Sequence, residues 1–576
     1  MNTKRNKPKS AKLSSFSTKS GRSSTPDNPG FWASKSTRET VESIVVAFIL
    51  AFLFRTFEAE AFVIPTGSMA PTLMGRHKDV FCWQCGNNYR ASASDENADN
   101  RYGPKAIVQC RCPMCGYVMD CHAKSERNRH RRKERTYNGD RILVSKFSYQ
   151  IGDPERWDVI VFKYPGNAKM NYIKRLVGLP NEVIHIEHGD VFFADNQNGE
   201  AVSEFRIARK SPHKLLAMLQ LVHDNQYCPG SLLAAGWPTR WQKSDGGEST
   251  GTGWTEEQLP DKRQSTRSRQ KWNFQGGKAG TPAWIRYGAY SPRDPDYDLW
   301  SRIERGTLQG RIPTERVRPQ YVFDHYEYNE SNTQFGDRAA RPIHWVGDLA
   351  LEAELEVEQA AGNVSLELIE GGYRFRCQFD LSTGQARLSI NDGEISFVNE
   401  AGEVDGTERI ASTSVQGRGS YRVMLSNCDD QLLLWVNGKV VSFDDETAYA
   451  PLDNHDPQEG DRWPAGIGAQ NTSLTVKALR VYRDVYYVSV NMTNRVSPLR
   501  DTPGGVTFAM ADDEFFVLGD NSPASQDSRL WRKSESDPHW VDRDLLIGKA
   551  LFIYWPHSRA DIFPFCPNIP RMGFVR

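Results

Sequence analysis

The sequence predicts a mainly β protein with an N-terminal transmembrane helix and several β-rich domains. Segments such as "LALEAELEVE" and "YRFRCQFD" alternate apolar and polar residues, as half-buried strands do. Asn437-Gly438 separates two apolar runs, which is typical of a hairpin turn. A chain of 576 residues with 39% hydrophobic residues can bury several cores.

The first 57 residues predict a basic tail followed by a membrane anchor. Residues 1–38 contain nine Lys or Arg and one acidic residue in a Ser/Thr/Pro-rich context, which predicts a disordered cytoplasmic tail. Residues 39–57 contain the apolar run Ile44 to Phe54 and are predicted to span the membrane. A cleaved signal peptide is the alternative, but no clean A-x-A site leads into a mature domain here.

Charge excludes a general affinity for nucleic acid. The formal net charge is zero, so no global field attracts a polyanion. The basic run "KSERNRHRRKER" is a local exception, and it indicates either contact with anionic headgroups or nucleic acid, or a solvated loop.

Two separated segments carry a serine and a lysine that could form a catalytic pair. Ser68 lies in "IPTGSMAPTL", soon after the apolar run. Lys174 lies in "MNYIKRLVGLPNEVIHI", among aliphatic residues that predict a buried strand. Desolvation lowers a lysine pKa from about 10.4 by as much as ~3 to 5 units. A buried lysine beside a serine hydroxyl therefore forms a nucleophile and base pair that needs no histidine. Taken singly, each residue is more often structural.

Four segments in order resemble bacterial type I signal peptidases. They are "GSMAPTL", the strand-like "GDRILVSKFSY" with "RWDVIVFKYP", "YIKRLVGLP" and "LGDNSPASQDSRLW"; the later "IGKALFIYWP" is similar to the family's last core strand. The resemblance covers about a third of the chain. It implies a membrane-anchored serine endopeptidase that removes signal peptides from exported preproteins, after small residues of the Ala-x-Ala type.

The resemblance also implies roles for individual residues and no cofactor for catalysis. Ser68 aligns with the nucleophile and Lys174 with the general base. The Ser68 amide and the Thr66 hydroxyl align with the oxyanion hole. The supporting positions are Ser525, which aligns with a serine that orients the lysine amine, and Asp527 and Arg529, which align with a structural ion pair. Ser522 replaces a common arginine, and Asn181 replaces a common glycine.

Four cysteines have the spacing of a structural zinc site. "CWQC" and "CRCPMC" provide two C-x2-C pairs separated by 26 residues, which predicts that Cys82, Cys85, Cys112 and Cys115 bind zinc. Cys110, Cys121 and His122 compete for a place among the ligands. Disulfides are the alternative, because the segment faces an oxidising compartment if the anchor prediction holds.

The predicted domain order places two insertions in the peptidase-like core. In chain order the segments are the tail (1–38), the anchor (39–57), the first core segment (58–81), a zinc-ribbon-like insertion with the basic run (82–138), the second core segment (139–193), an irregular insertion or linker (194–312), a β-sandwich (313–488) and the third core segment (489–576). The sandwich resembles concanavalin-like and laminin-G-like jelly rolls. Such folds often bind glycans, although a spacer is the default expectation.

The expected location is the bacterial cytoplasmic membrane, as a single-pass protein with a cytoplasmic N-terminus and the catalytic domain on the outer face. The expected partners are secreted preproteins, the lipid bilayer and, through the sandwich, an envelope glycan or protein, with no nucleic acid. A Ser/Lys self-cleaving repressor would need a DNA-reading helix-turn-helix and no anchor. A catalytically modified envelope-binding protein is the remaining alternative, and it would be expected to lose Ser68 or Lys174.

Overall fold

The structure is a computed structural model that divides the chain into two compact units, Met1–Glu58 and Ala59–Arg576. It describes residues 39–49, 59–97, 103–121, 135–244, 253–261, 264–276, 281–290, 297–308, 310, 312, 317–333, 344–399, 401–490, 499–531, 538–557 and 567–576. In the first unit, residues 39–49 form a helix with exposed side chains. None of the helices within these ranges combines the length and hydropathy required to cross a bilayer. The predicted tail, the rest of the predicted anchor and most of the basic run lie outside the described residues.

The core domain is built from two antiparallel sheets whose strands come from distant parts of the chain. The larger sheet has the order Ala59–Val63, Arg141–Ser145, Leu546–Trp555, Val159–Tyr164, Asn167–Gly178, Glu514–Leu518 and Val541–Asp542, with Gly573–Phe574 beside Leu546–Trp555. The smaller sheet has the order Glu200–Ala201, Asp190–Gln197, Glu182–Glu187 and Val506–Ala509, with Arg206–Ile207 beside Asp190–Gln197. Strand Asn167–Gly178 is exposed in its first half and becomes buried from Lys174 onward.

Two small sheets lie around the cysteine-rich segment. One has the order Asn88–Ser92, His77–Phe81 and Thr136–Tyr137, and the other has the order Ser331–Thr333, Ile107–Arg111 and Val118–Asp120. Their cysteines share a hydrophobic cluster with Tyr89, Tyr117 and Trp300. Strand His77–Phe81, which the sequence assigns to the core, belongs to this ribbon.

A β-sandwich forms the largest hydrophobic core. Its larger sheet has the order Cys228–Pro229, Gln264–Gly276, Thr472–Arg483, Leu349–Val357, Gly419–Cys428, Gln431–Val436, Ala448–Tyr449 and Phe397–Val398, joined by Gln220–Asp224, Trp254–Asp261 and Lys439–Val440. The facing sheet has the order Trp241–Lys243, Ala283–Tyr287, Ala465–Gln470, Asn363–Glu370, Tyr373–Asp380, Gln385–Ile390 and Glu408–Ser412. Buried residues of both sheets pack into one cluster.

Several predicted sandwich features are confirmed. Strand Leu349–Val357 alternates buried and half-buried side chains along most of its length. The hairpin turn lies where it was predicted, and both Asn437 and Gly438 have positive φ, at 51° and 79°. Such a turn matches the twist of the strands it joins.

The prediction of an irregular insertion at 194–312 is wrong. Strands between Gln220 and Tyr287 complete both sandwich sheets, and Trp241, Trp254 and Trp272 are buried in the sandwich core. Strand Gln264–Gly276 alternates aromatic and polar residues only from Lys271 to Gln275, and its polar flanking residues obscure this short pattern. The predicted start of the sandwich at 313 is also wrong, because Ser331–Thr333 pairs with Ile107–Arg111 of the ribbon.

Helices in the second unit are short and connect the strands. The α-helices are Ser148–Ile151, Pro212–Met218, Gly230–Ala234, Tyr297–Glu304 and Ser528–Trp531. The 3-10 turns are Gly67–Met69, Ser94–Glu96, Glu327–Asn329, Asn391–Gly393, Glu459–Arg462, Ser522–Ala524, Arg543–Leu545 and Ile569–Arg571.

Candidate active site

Ser68 occupies a single 3-10 turn that follows the first core strand. The turn spans Gly67–Met69, with Met69 buried and Ser68 half-buried. Gly67 has no room for a side chain, since a Cβ there would lie 2.1 Å from Cε1 of Tyr328. The turn therefore presents the serine while its neighbours are held by close packing.

The structure brings Lys174 to Ser68. Lys174 is 4% exposed, and its Nζ lies 2.8 Å from Ser68 Oγ and 3.2 Å from the Ile173 carbonyl oxygen. Burial lowers the pKa of Lys174 to about 8; the charges of Asp527 and Asp520 oppose this shift and Arg529 adds to it. The amine is therefore available as a base in mildly alkaline solution.

A buried ion pair fixes the strand that carries the lysine. Arg175 is fully buried, and its Nε and Nη2 donate to the two carboxylate oxygens of Asp520 at 2.7 and 2.6 Å. Arg175 Nη2 also donates to the Thr72 hydroxyl at 3.0 Å. Sequence reasoning did not assign roles to these three residues. Two of them could have been found from the sequence, because Arg175 directly follows Lys174 and Asp520 lies within the Gly-Asp-Asn motif.

Asp527 and Arg529 form the ion pair that the sequence predicts. Both side chains are 0% exposed, and Arg529 donates to both carboxylate oxygens at 2.9 and 2.8 Å. Asp527 also accepts the Gly519 N–H at 3.0 Å. Ser522, at the unusual position, accepts a hydrogen bond from Arg529 at its hydroxyl and another at its carbonyl oxygen, both at 3.0 Å. Ser522 therefore contacts the ion pair directly.

Within the described part of the chain, neither Thr66 nor Ser525 forms a hydrogen bond with the lysine amine. Thr66 is exposed immediately before the turn and adopts extended backbone angles. Ser525 Oγ is buried and has no hydrogen-bond partner among the described residues. A Cβ on Gly519 would lie 2.2 Å from this hydroxyl and 2.5 Å from the Ser68 carbonyl oxygen. The structure thus places Ser525 close to the Ser68 backbone, and its predicted hydrogen bond to Lys174 is not formed here.

The four predicted cysteine ligands converge. Sγ of Cys82 lies 3.5 Å from that of Cys115, and Sγ of Cys85 lies 3.5 Å from that of Cys112. All four sulfur atoms lie within 4.8 Å of one another. Four thiolates at about 2.3 Å from a tetrahedral Zn²⁺ are separated by about 3.8 Å, so the cluster is close to the size that zinc requires.

The two cysteine pairs have matching backbone turns. Gly86 N–H donates to the Cys82 carbonyl at 2.8 Å, and Gly116 N–H donates to the Cys112 carbonyl at 2.9 Å. Both glycines have positive φ, at 78° and 69°, a conformation that favours glycine.

The remaining candidate ligands are separate from this cluster. Cys110 and Cys121 form a pair of their own, with the sulfur atoms 3.1 Å apart. His122 lies outside the described residues.

Comparisons with known proteins cover part of this site. A contacting serine and buried lysine on a β-rich scaffold are the arrangement of a Ser/Lys peptidase. Residues 118–236 and 428–555 match the family described as signal peptidase, peptidase S26. The chain is similar to this family over these two ranges, which together make up less than half of its length. The matched ranges include Lys174 and Arg529, and Ser68 lies outside them.

Individual relatives match over limited stretches. Signal peptidase I of Pseudomonas fluorescens is 45% identical over 78 residues, which are 12% of this chain and 26% of the relative. Signal peptidase I of Buchnera aphidicola subsp. Baizongia pistaciae is 27% identical over 167 residues, which are 27% of this chain and 34% of the relative. The chain thus spans about a quarter to a third of these curated relatives. Among solved structures, carbohydrate binding module CBM66 from Bacillus subtilis is 10% identical, with 41% of this chain and 94% of that chain covered and a TM-score of 0.17.

Proposed function

We propose that this chain removes signal peptides from exported preproteins, with Ser68 as the nucleophile and Lys174 as the general base. The observation that carries the proposal is the 2.8 Å contact between Ser68 Oγ and the buried Lys174 Nζ. A lysine whose pKa is lowered to about 8 can accept a proton in mildly alkaline solution, and the contact places it on the hydroxyl that would react.

In the proposed reaction, neutral Lys174 accepts the Ser68 proton as Oγ attacks the carbonyl carbon of the scissile bond. The Ser68 N–H and the Thr66 hydroxyl stabilise the oxyanion of the tetrahedral intermediate. The lysine ammonium then protonates the leaving amine, and an acyl-enzyme remains on Ser68. Water, deprotonated by Lys174, hydrolyses this ester and regenerates the serine. Ser525 would assist by orienting the lysine amine once substrate is bound.

The proposal includes a membrane anchor and a preference for Ala-x-Ala-type sites. Residues 39–57 would cross the bacterial cytoplasmic membrane once, with the basic tail in the cytoplasm and the second unit outside. Ser68 follows this segment by eleven residues, so the nucleophile would be kept near the bilayer that also holds the signal peptide. Secreted preproteins and the lipid bilayer are accordingly the proposed partners.

We also propose a structural zinc ion at Cys82, Cys85, Cys112 and Cys115. Four thiolates fill a tetrahedral shell, which leaves no open position for catalysis. The ion would close the two matching turns and stabilise the ribbon.

The sandwich is proposed to be a concanavalin-like jelly roll that acts as a spacer. Binding of an envelope glycan or protein is the alternative role. An envelope-binding protein without catalysis would be expected to lose Ser68 or Lys174. Both residues are retained and in contact, which favours the enzyme over this alternative.

The test is cleavage of a synthetic preprotein whose signal ends in Ala-x-Ala, by the full chain in detergent. Ser68→Ala and Lys174→Ala should each reduce turnover to background, because the nucleophile or the base is removed. Thr66→Ala should retain measurable activity, since it removes one oxyanion donor and a single such donor contributes about 10²- to 10³-fold. Turnover of Ser68→Ala or Lys174→Ala close to that of the unmodified chain would refute the dyad.

A further inference from the structure

A segment of the second insertion packs against the loop that carries the nucleophile. Tyr328 and Asn329 belong to the 3-10 turn Glu327–Asn329, which lies between the two ranges that match the signal peptidase family. The Tyr328 ring occupies the space that a Gly67 side chain would need, and its hydroxyl donates to the Arg76 carbonyl oxygen at 3.0 Å. The segment therefore contacts the loop on both sides of Ser68 in sequence.

Asn329 forms a reciprocal amide pair with Asn521 of the Gly-Asp-Asn motif. Asn329 Nδ2 donates to Asn521 Oδ1 at 2.7 Å, and Asn521 Nδ2 donates to Asn329 Oδ1 at 2.8 Å. Asn521 Nδ2 also donates to the Gly67 carbonyl oxygen at 2.9 Å. A carbonyl oxygen can only accept, so this contact requires the NH₂ group of Asn521 to face Gly67, and the orientation of both amides follows.

Asn521 helps to hold the peptide plane between Gly67 and Ser68, whose carbonyl oxygen also accepts the Ala70 N–H at 3.1 Å. The Gly67 carbonyl and the Ser68 N–H belong to one peptide unit, and a trans peptide is planar. Fixing the carbonyl therefore fixes the direction of the N–H that would bind the oxyanion. The Asn521 N–H also donates to the Ser68 carbonyl oxygen at 3.0 Å, so the peptide unit on the other side of the nucleophile is held as well.

The segment is held on the ribbon by strand pairing and hydrogen bonds. Ser331–Thr333 pairs with Ile107–Arg111, and the Arg111 N–H donates to the Glu330 carbonyl oxygen at 3.0 Å. The Ser331 hydroxyl donates to the Ser92 carbonyl oxygen at 2.8 Å. Asn329 thus lies at the end of a turn that leads directly into a paired strand, and this strand anchors the segment that orients Asn521.

We propose that Asn329 is a positioning residue, contributed by the insertion, that orients Asn521 and through it the Ser68 N–H of the oxyanion hole. This inference rests on the proposed function. It assigns the inserted segment a part in the chemistry of the core. Asn329 does not itself touch the reacting atoms in this assignment.

The inference is tested by a double-mutant cycle on the full chain, with Asn329→Ala, Asn521→Ala and the combined variant. Asn329→Ala should lower kcat for the Ala-x-Ala preprotein about tenfold and leave KM within about twofold, because a misdirected oxyanion donor weakens binding of the transition state more than that of the substrate. Asn521→Ala should lower kcat further. The combined variant should match Asn521→Ala, since residues that act through one contact are not additive.

Two further variants separate positioning from folding. Asn332→Ala changes an asparagine of the same segment that is not a hydrogen-bond partner of Asn521, and it should leave kcat unchanged. Asn329→Asp is isosteric but replaces the NH₂ that donates to Asn521 Oδ1 by a second acceptor oxygen, so it should lower kcat at least as much as Asn329→Ala. Thermal unfolding of each variant identifies the folded fraction. If Asn329→Ala does not fold, the Asp variant is compared with Asn521→Ala in the same way.

The possible results distinguish failure of the positioning role from failure of the proposed function. Cleavage that depends on Ser68 but has an unchanged kcat in Asn329→Ala, or losses that simply add in the combined variant, would overturn the positioning role and leave the proposed function standing. Absence of any Ser68-dependent cleavage by the unmodified chain would overturn both.

Discussion

Burial of one amine sets the pH range of the proposed reaction. Lys174 must be neutral to accept the Ser68 proton, and its pKa is lowered to about 8 chiefly by desolvation. Below this pH the ammonium form predominates and cannot act as a base. We therefore expect kcat/KM to rise with pH, with a midpoint near 8, and to fall about tenfold per unit below it. A pH series of preprotein cleavage measures this midpoint. A rise centred near 6.5 would indicate an unperturbed histidine instead.

Histidine substitutions provide the matched control for that assignment. His185 contacts Thr507 and Glu187 on the smaller core sheet, and His188 is more than half exposed. Neither contacts Ser68, so His185→Gln and His188→Gln should keep the activity and the pH midpoint of the unmodified chain. His77 is less suitable as a control. Its ring is buried between Gly75 and His557, and burial lowers its pKa to about 4.

At the scale of elements, the four cysteines of the ribbon converge from two short turns. Purified chain should contain about one zinc ion, and metal analysis of Cys82→Ser and Cys112→Ser should show its loss, because each variant removes one of four thiolates. Acidification should release the ion, since the ligands must be deprotonated to bind.

Variants at the neighbouring cysteine pair identify the ligand set. Cys110→Ser and Cys121→Ser should keep the zinc, because their sulfur atoms pair with each other rather than with the four-cysteine cluster. Mass spectrometry that finds Cys82, Cys85, Cys112 and Cys115 joined as disulfides, in protein without metal, would contradict the zinc proposal.

At the scale of the whole molecule, the sandwich is assembled from two stretches of chain on either side of the segment that carries Asn329. Strand Gln264–Gly276 pairs with Thr472–Arg483, and Ala283–Tyr287 pairs with Ala465–Gln470. A fragment of residues 313–488 lacks both early strands, so it leaves two sheet edges and part of the core exposed. A fragment of residues 208–490 contains them.

We expect the longer fragment to unfold cooperatively and the shorter one to aggregate or to lack a cooperative transition, as measured by circular dichroism during heating. The stretch missing from the shorter fragment supplies three buried tryptophans, Trp241, Trp254 and Trp272, and removing each costs about 3 to 5 kcal/mol by analogy with Trp→Ala changes. Equal stability of the two fragments would show that the early strands do not contribute to the stability of the sandwich.

The sequence by itself determined the features that depend on local pattern. Alternation located strand Leu349–Val357, the Asn437-Gly438 pair located a hairpin, and cysteine spacing located the four thiols that converge. Motif order singled out Ser68 and Lys174. Each of these signals lies within a few residues of chain, where periodicity and turn chemistry act directly on the backbone.

Only the tertiary structure decided which distant residues meet. Ser68 and Lys174 are 106 positions apart, and Asn329 and Asn521 are 192 apart, so no local pattern specifies either contact. The same holds for Ser331–Thr333, whose sequence offers no signal for pairing with the ribbon rather than with the sandwich. Such partners are selected by the free energy of packing the whole chain, in which burial of Tyr328 against Gly67 and satisfaction of both asparagine amides are gained together.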